Sequence, residues 1–265
     1  MKLNPKILEK VDKEINIIQS KPFLIFEVPE FLTDYQYDFL DKNFPRLDEI
    51  FFKKNNIRGH NLKYNFNSKS KIYEELLKSN LTVKCLDNFI FNKKFLIKFL
   101  EKFRKDYIIA RKNDLKYLIK LLRFKRFGKK KRKFFDKFLF TDISADIEYS
   151  YMVNSAKIVP HTDSRQKLIS LMMYFPEKEF TEEEKKKLGT TFYISDLQNI
   201  NNKHLETRRE IENLKKKIKS KITLPFKKKT LYGFIRNDKS WHSVEEFRFQ
   251  NRKLIRRSIN INLYI

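Results

Sequence analysis

Apolar and polar positions follow two different periods along this chain, and the change falls near residue 139. Before it the spacing is helical. Phe95, Phe99 and Phe103 recur on one face, and Leu115, Leu118, Ile119 and Leu122 form a second such set. Thr33 and Gln36 have the spacing of a capping box, in which side chain and backbone satisfy each other's free donors. A helix is therefore expected over about 34–43. Just upstream, residues 23–28 (FLIFEV) are a short strand candidate closed by Pro29.

After residue 139 the texture becomes that of strands. Segments 147–152 (IEYSYM), 167–175 (KLISLMMYF), 190–194 (TTFYI), 230–235 (TLYGFI) and 256–265 (RRSININLYI) are rich in β-branched and aromatic residues. Two helical insertions interrupt them. The first, 181–189, has Thr181 as N-cap, Glu184 at the capping-box position and Gly189 as terminator. The second, about 202–220, is heavily charged and carries Leu205, Ile211, Leu214 and Ile218 on one stripe. Short strands with a helical layer built before them predict an α+β chain, a β-sandwich or jelly-roll core buttressed by helices. A length of 265 residues suits a single domain. In it, 1–138 is mainly helical support with an N-terminal strand, and 139–265 is the strand core with a charged helical insertion near 200–220.

Composition narrows the class. A hydrophobic fraction of 41%, led by 26 Phe and 12 Tyr, is ample for a core and excludes wholesale disorder. The longest apolar stretches run to about eight residues, far below the roughly 20 of a spanning helix. Residues 1–20 lack the apolar region of a signal peptide. Cys85 is the only cysteine, which excludes an internal disulfide and a Cys-rich zinc site. The expectation is a soluble, reduced, cytoplasmic protein.

Charge leaves two readings open. Lys+Arg 59 against Asp+Glu 33 gives a net charge of +26. That favours a polyanionic partner such as nucleic acid, an anionic membrane surface or an acidic saccharide. It also follows from composition alone, since Lys, Asn, Ile and Phe are abundant together, as A/T-rich codons produce. The basic run at 125–135 (KRFGKKKRKFF) is either a phosphate grip or a solvated loop, and is expected to be exposed.

Four histidines are present: His60, His161, His204 and His242. His161 lies two residues before Asp163, and on an extended strand end positions i and i+2 point to the same side. His242 follows the strand candidate TLYGFI. Two histidines and one carboxylate on one face form the facial triad that leaves coordination sites open on non-haem Fe(II). His60 and His204 have no such company and read as loop and surface residues.

The last strand adds a cation. Arg256, Ser258, Asn260 and Asn262 share one face, while Arg257, Ile259, Ile261 and Leu263 share the other. The apolar face is expected to be buried, so the polar face lines solvent or a polar cavity. Arginine's planar fork would hold the far end of a dicarboxylate there. In KLISLMMYF, Ser170, Met172 and Tyr174 likewise fall on one side.

Taken in order, HTDS…KLISLMMYFP, GTTFY, FIRNDKSWHSV and RRSINI resemble the 2-oxoglutarate- and Fe(II)-dependent oxygenases, specifically their prolyl-hydroxylase-like branch. The resemblance covers about 146–265. It implies a double-stranded β-helix with His161, Asp163 and His242 on iron. Arg256 would salt-bridge the distal carboxylate of 2-oxoglutarate, with Ser258 and Tyr174 assisting. Tyr151 would be a co-substrate-facing tyrosine, and Asn260 a pocket-lining polar residue. GTTFY replaces the family's more usual paired glycines. The implied reaction oxidises a substrate C–H bond, hydroxylation by default, with succinate and CO2 as co-products and ascorbate as an accessory. The substrate is expected to be a small molecule or a protein side chain. Nucleic acid stays open through the charge, but Ser258 and Asn262 replace the tail residues of base-repair demethylases and count against that branch. The alternative is a non-enzymatic basic jelly-roll module that binds a polyanion.

Overall fold

The strand-rich half closes on itself as two facing sheets in a computed structural model. The structure describes residues 5–46, 63–112, 114–122, 124–127, 140–153, 155–199, 204–248 and 255–264. His60 and most of the basic run at 125–135 lie outside the described residues. In chain order the strands are β1 (Asn16–Gln19), β2 (Ile25–Val28), β3 (Lys63–Asn67), β4 (Phe124–Phe127), β5 (Phe140–Val153) and β6 (Ile158–His161). They continue as β7 (Lys167–Phe175), β8 (Thr190–Ser195), β9 (Ile218–Leu224), β10 (Leu231–Ile235), β11 (Trp241–Val244) and β12 (Ile255–Tyr264). The supporting helices are α1 (Lys10–Lys13), α2 (Asp34–Lys42), α3 (Lys71–Ser79), α4 (Leu81–Ile90), α5 (Lys93–Lys102), α6 (Arg104–Ala110) and α7 (Leu115–Leu122). Two further helices, α8 (Glu182–Lys187) and α9 (Arg208–Lys216), fall within the strand half.

The larger sheet runs β1-β2-β10-β7-β12-β5-β3, with β4 added parallel to β5, and the smaller runs β6-β11-β8-β9. From β5 onward the chain passes back and forth between them: β5, β7, β10 and β12 belong to the larger sheet, β6, β8, β9 and β11 to the smaller. This is the double-stranded β-helix that the resemblance implies, a form of the jelly roll that the sequence pattern predicts.

Alternation explains why the larger sheet has two unlike faces. Ile259, Ile261 and Leu263 of β12 bury with Ile147 and Tyr149 of β5, Leu171 and Met173 of β7, and Phe95, Phe99 and Phe103 of the helices. Each large apolar side chain removed from water contributes about 1.5–3 kcal/mol. Phe26 of β2 stacks on Phe103 with ring centroids 4.3 Å apart. Gly233 permits this closeness, because a Cβ there would lie 2.3 Å from Phe26 Cζ and 2.8 Å from Leu171 Cδ2. The opposite face sends Met152, Met172, Tyr174, Tyr232 and Phe234 toward Phe192, Ile194 and Leu224 of the smaller sheet.

Several local expectations hold in detail. Thr33–Gln36 and Thr181–Glu184 both close capping boxes. Others change. Two positions of the stripe on α7 face solvent, Leu115 at 72% and Ile119 at 43% exposure, while Leu118 is half-buried. The charged insertion is helical only over α9, and Ile218, expected on its apolar stripe, instead opens β9. Pairing with β8 from Ser195↔Ile218 to Thr190↔Leu224 completes the smaller sheet, a tertiary gain that overrides helix propensity. Gly189 does not take the left-handed backbone of a terminator. It stands instead where a Cβ would lie 2.2 Å from the Leu224 carbonyl oxygen.

Candidate metal and co-substrate site

His161 and His242 are direct cross-strand partners on β6 and β11, so sheet register cancels their separation in sequence. Their ring centroids are 4.3 Å apart. Asp163 follows β6 in the turn to β7, and one ligand atom from each of the three residues lies within 4.8 Å of the others. His161 Nδ1 is 2.9 Å from the Val159 carbonyl oxygen, and His242 Nδ1 is 3.0 Å from that of Ser240. A carbonyl only accepts, so each Nδ1 carries the hydrogen and each Nε2 keeps its lone pair for a metal.

Asp163 is held from two sides. Lys167 Nζ donates to Oδ1 at 2.8 Å, and Ser170 Oγ donates to Oδ2 at 2.8 Å. Burial alone would raise its carboxyl, but the Lys167 ammonium beside it holds it well below the usual carboxylate range. Burial pushes His161 well below the usual imidazole value, with His242 adding to the effect, and burial lowers His242 too. Two neutral imidazoles and an ionised carboxylate thus converge. The donor set is N,N,O without thiolate, and three protein ligands leave positions open, which fits Fe(II) in a facial triad.

A cavity of about 100 Å³ connects this cluster to Arg256, with Ser150, Met172, Thr190, Ser258 and Asn260 among its walls. Arg256 is 3% exposed. Its Nε donates to the Leu188 carbonyl at 2.6 Å and its Nη2 to Thr190 Oγ1 at 3.3 Å. The guanidinium lies 4.9 Å from the Tyr174 ring centroid and 5.6 Å from that of Phe226. The Tyr174 and Thr190 hydroxyls are 2.7 Å apart. Ser258 sits opposite Ser150 and Tyr174 in the sheet. Arg257 faces the helices, where Nη2 donates to Asp41 Oδ1 at 2.7 Å and the guanidinium covers the Phe44 ring at 5.1 Å. The face assignment of the paired arginines is therefore as the alternation predicts.

Asn260 lines the cavity, and its Nδ2 donates to Glu148 Oε1 at 3.2 Å. Tyr151 is a correction. It lies on the helix-facing side of β5, its ring in the core with Phe44 and its hydroxyl donating to the Pro45 carbonyl at 2.7 Å. Its neighbours Ser150 and Met152 hold the cavity side, because adjacent strand residues point to opposite faces.

Sequence reasoning missed several wall residues. Thr190, which bridges Arg256 and Tyr174, belongs to the smaller sheet and carries no local signal. Glu148 was readable from the alternation of IEYSYM; it also accepts from Lys63 at 3.1 Å and Asn65 at 2.9 Å. Lys167 was not readable: the β12–β7 register shifts between Leu263 and Tyr264, and there Lys167 turns to the cavity against the strand's parity. His204 is exposed, as expected of a surface residue, yet its ring stacks on His161.

No protein-family model matches the chain, and no curated protein does. Solved structures do. The non-haem α-ketoglutarate-dependent epimerase SnoN from nogalamycin biosynthesis matches with a TM-score of 0.50 and 11% identity, over 98% of this chain and 82% of its own. A Pseudomonas putida prolyl-4-hydroxylase matches at 0.44 and 8%, over 98% and 100%. HygX from Streptomyces hygroscopicus, with nickel, 2-oxoglutarate and hygromycin B bound, matches at 0.46 and 8%, over 99% and 87%. The likeness to SnoN is one of fold: the chain has the double-stranded β-helix architecture of the 2-oxoglutarate- and Fe(II)-dependent oxygenases.

Proposed function

We propose that the chain is an Fe(II)- and 2-oxoglutarate-dependent dioxygenase that hydroxylates a C–H bond of a small molecule or a protein side chain. The observation that carries this reading is one cavity with a His–Asp–His cluster at one end and a buried guanidinium at the other. His161 and His242 would present Nε2 to iron, and Asp163 a carboxylate oxygen. Bound iron with 2-oxoglutarate supplies O2-dependent oxidation, with succinate and CO2 as co-products. The protein's share is orientation. Arg256, braced by Leu188 and Thr190 and flanked by Tyr174, would take the distal carboxylate, with Ser258 beside it. Met152 and the Tyr174 and Phe226 rings keep that end dry, which strengthens the ion pair.

A polyanion-binding module has no use for an arginine sealed inside the barrel, so the enzyme reading is favoured. The test is succinate formation by the purified chain with Fe(II), ascorbate, O2 and 2-oxoglutarate. Slow uncoupled turnover is expected, rising when a metabolite or peptide of the right class is added. Succinate that is absent, or equal in an Asp163→Ala or His161→Ala control, overturns the reading.

A further inference from the structure

His204 has a parallel neighbour where a surface histidine would have water. Its ring lies on that of His161 with centroids 4.6 Å apart and planes at 6°. The residue is exposed, yet the backbone beside it is fixed. Leu205 N donates to the Pro160 carbonyl at 3.0 Å, and the Leu205 side chain buries with Tyr193, Leu214 and Trp241. Trp241 Nε1 in turn donates to the Leu197 carbonyl at 2.8 Å. The segment carrying His204 is thus tied to Pro160 and Trp241, the residues that immediately precede the two histidines of the metal cluster.

We propose that His204 is a positioning residue for His161, its ring holding the imidazole plane at the angle from which Nε2 meets the metal. The proposal rests on the metal site argued above. Rotation of an imidazole about its outer side-chain bond is soft, with broad rather than sharp preferences. The bond from Nδ1 to Val159 fixes one edge of the His161 ring, and a parallel ring across its face restricts the remaining tilt. His204 does not act as a fourth ligand in this arrangement. Imidazole lone pairs lie in the ring plane, so two parallel rings 4.6 Å apart direct theirs side by side rather than at one ion.

The experiment uses the full-length chain titrated anaerobically with Co(II), followed by its visible absorption, in wild type, His204→Ala and His204→Phe. The alanine variant should bind Co(II) about tenfold more weakly, with an altered absorption band, as loss of an outer partner of a metal ligand typically does. Phenylalanine preserves the stacking face without ring nitrogens, so His204→Phe should retain affinity within about threefold. Melting curves of the metal-free variants separate loss of the site from loss of the fold. An alanine variant that binds like wild type overturns the positioning role. So does a phenylalanine variant as weak as alanine, which would assign the effect to a ring nitrogen. Wild-type protein that binds no Co(II) defeats the metal site itself, an outcome distinct from either.

Discussion

Replacing Arg256 with Lys keeps the charge and removes the fork. The wild-type guanidinium spends Nε on the Leu188 carbonyl at 2.6 Å and Nη2 on Thr190 at 3.3 Å. Its planar group can keep those two bonds and still offer a donor to a carboxylate, whereas a compact ammonium on a flexible four-carbon stem cannot reproduce that geometry. A charge-assisted hydrogen bond of this kind is worth about 1.5–3 kcal/mol. At 1.36 kcal/mol per factor of ten, its loss should raise the KM for 2-oxoglutarate about 10- to 150-fold. Arg257→Lys is the internal control. That side chain pairs with Asp41 on the helix face, so its replacement should cost about 1 kcal/mol of stability or less and leave the KM unchanged. Uncoupled succinate formation as a function of 2-oxoglutarate concentration reads both variants. A larger KM effect from Arg257→Lys would refute the assignment of faces along β12.

Three further outcomes are expected. Gly233→Ala forces a Cβ against Phe26 and Leu171 and should destabilise by about 1–3 kcal/mol in denaturant melts, whereas wild-type stability would deny the close packing of β2 on β10. The metal-free protein should melt at progressively lower temperature as pH falls below about 6.5. His161 and His242 have depressed folded values, so their contribution is present above the unfolded imidazole value and is lost as protons bind the unfolded chain; a flat profile from pH 7.5 to 5 would contradict this. Arg256→Met should leave the ligand-free protein as stable as wild type or more so while abolishing any thermal upshift by 2-oxoglutarate. A retained upshift would place the co-substrate elsewhere.

What was legible in the sequence is what depends on local alternation. The polar face of 256–262 and the Ser170–Met172–Tyr174 face could be read because strand residues two apart share a side. The same rule, applied to IEYSYM, separates Tyr151 from the cavity, where the resemblance alone would put it. The pairing of β6 with β11 was not legible, because register is set by the whole barrel, and only register makes His161 and His242 neighbours. Lys167 depended on a bulge, Thr190 on the approach of the second sheet, and β9 on an edge that needed a partner more than a charged segment needed a helix.

The two adjacent arginines show which feature of this site is structural and which awaits a ligand. Arg257 has carboxylates beside it, Asp41 at 2.7 Å and Glu177 at 3.6 Å, and covers the Phe44 ring, so its charge is compensated within the fold. Arg256 is more deeply buried, and among the described residues no ion pair reaches it; its contacts are a carbonyl, a hydroxyl, a thioether and two aromatic rings. A desolvated charge without a counter-ion costs several kcal/mol. Burial accordingly lowers the Arg256 pKa, the direction expected of a cation short of compensation. A fold that retains such a group loses stability it could recover with methionine or leucine, unless an anion arrives to pair with it. The cavity supplies the route, and its other end holds three groups placed so that they could hold a metal. An anion that both chelates at one end and carries a second carboxylate at the other answers both requirements at once, which is why the buried arginine, more than the histidines, argues for a dicarboxylate co-substrate.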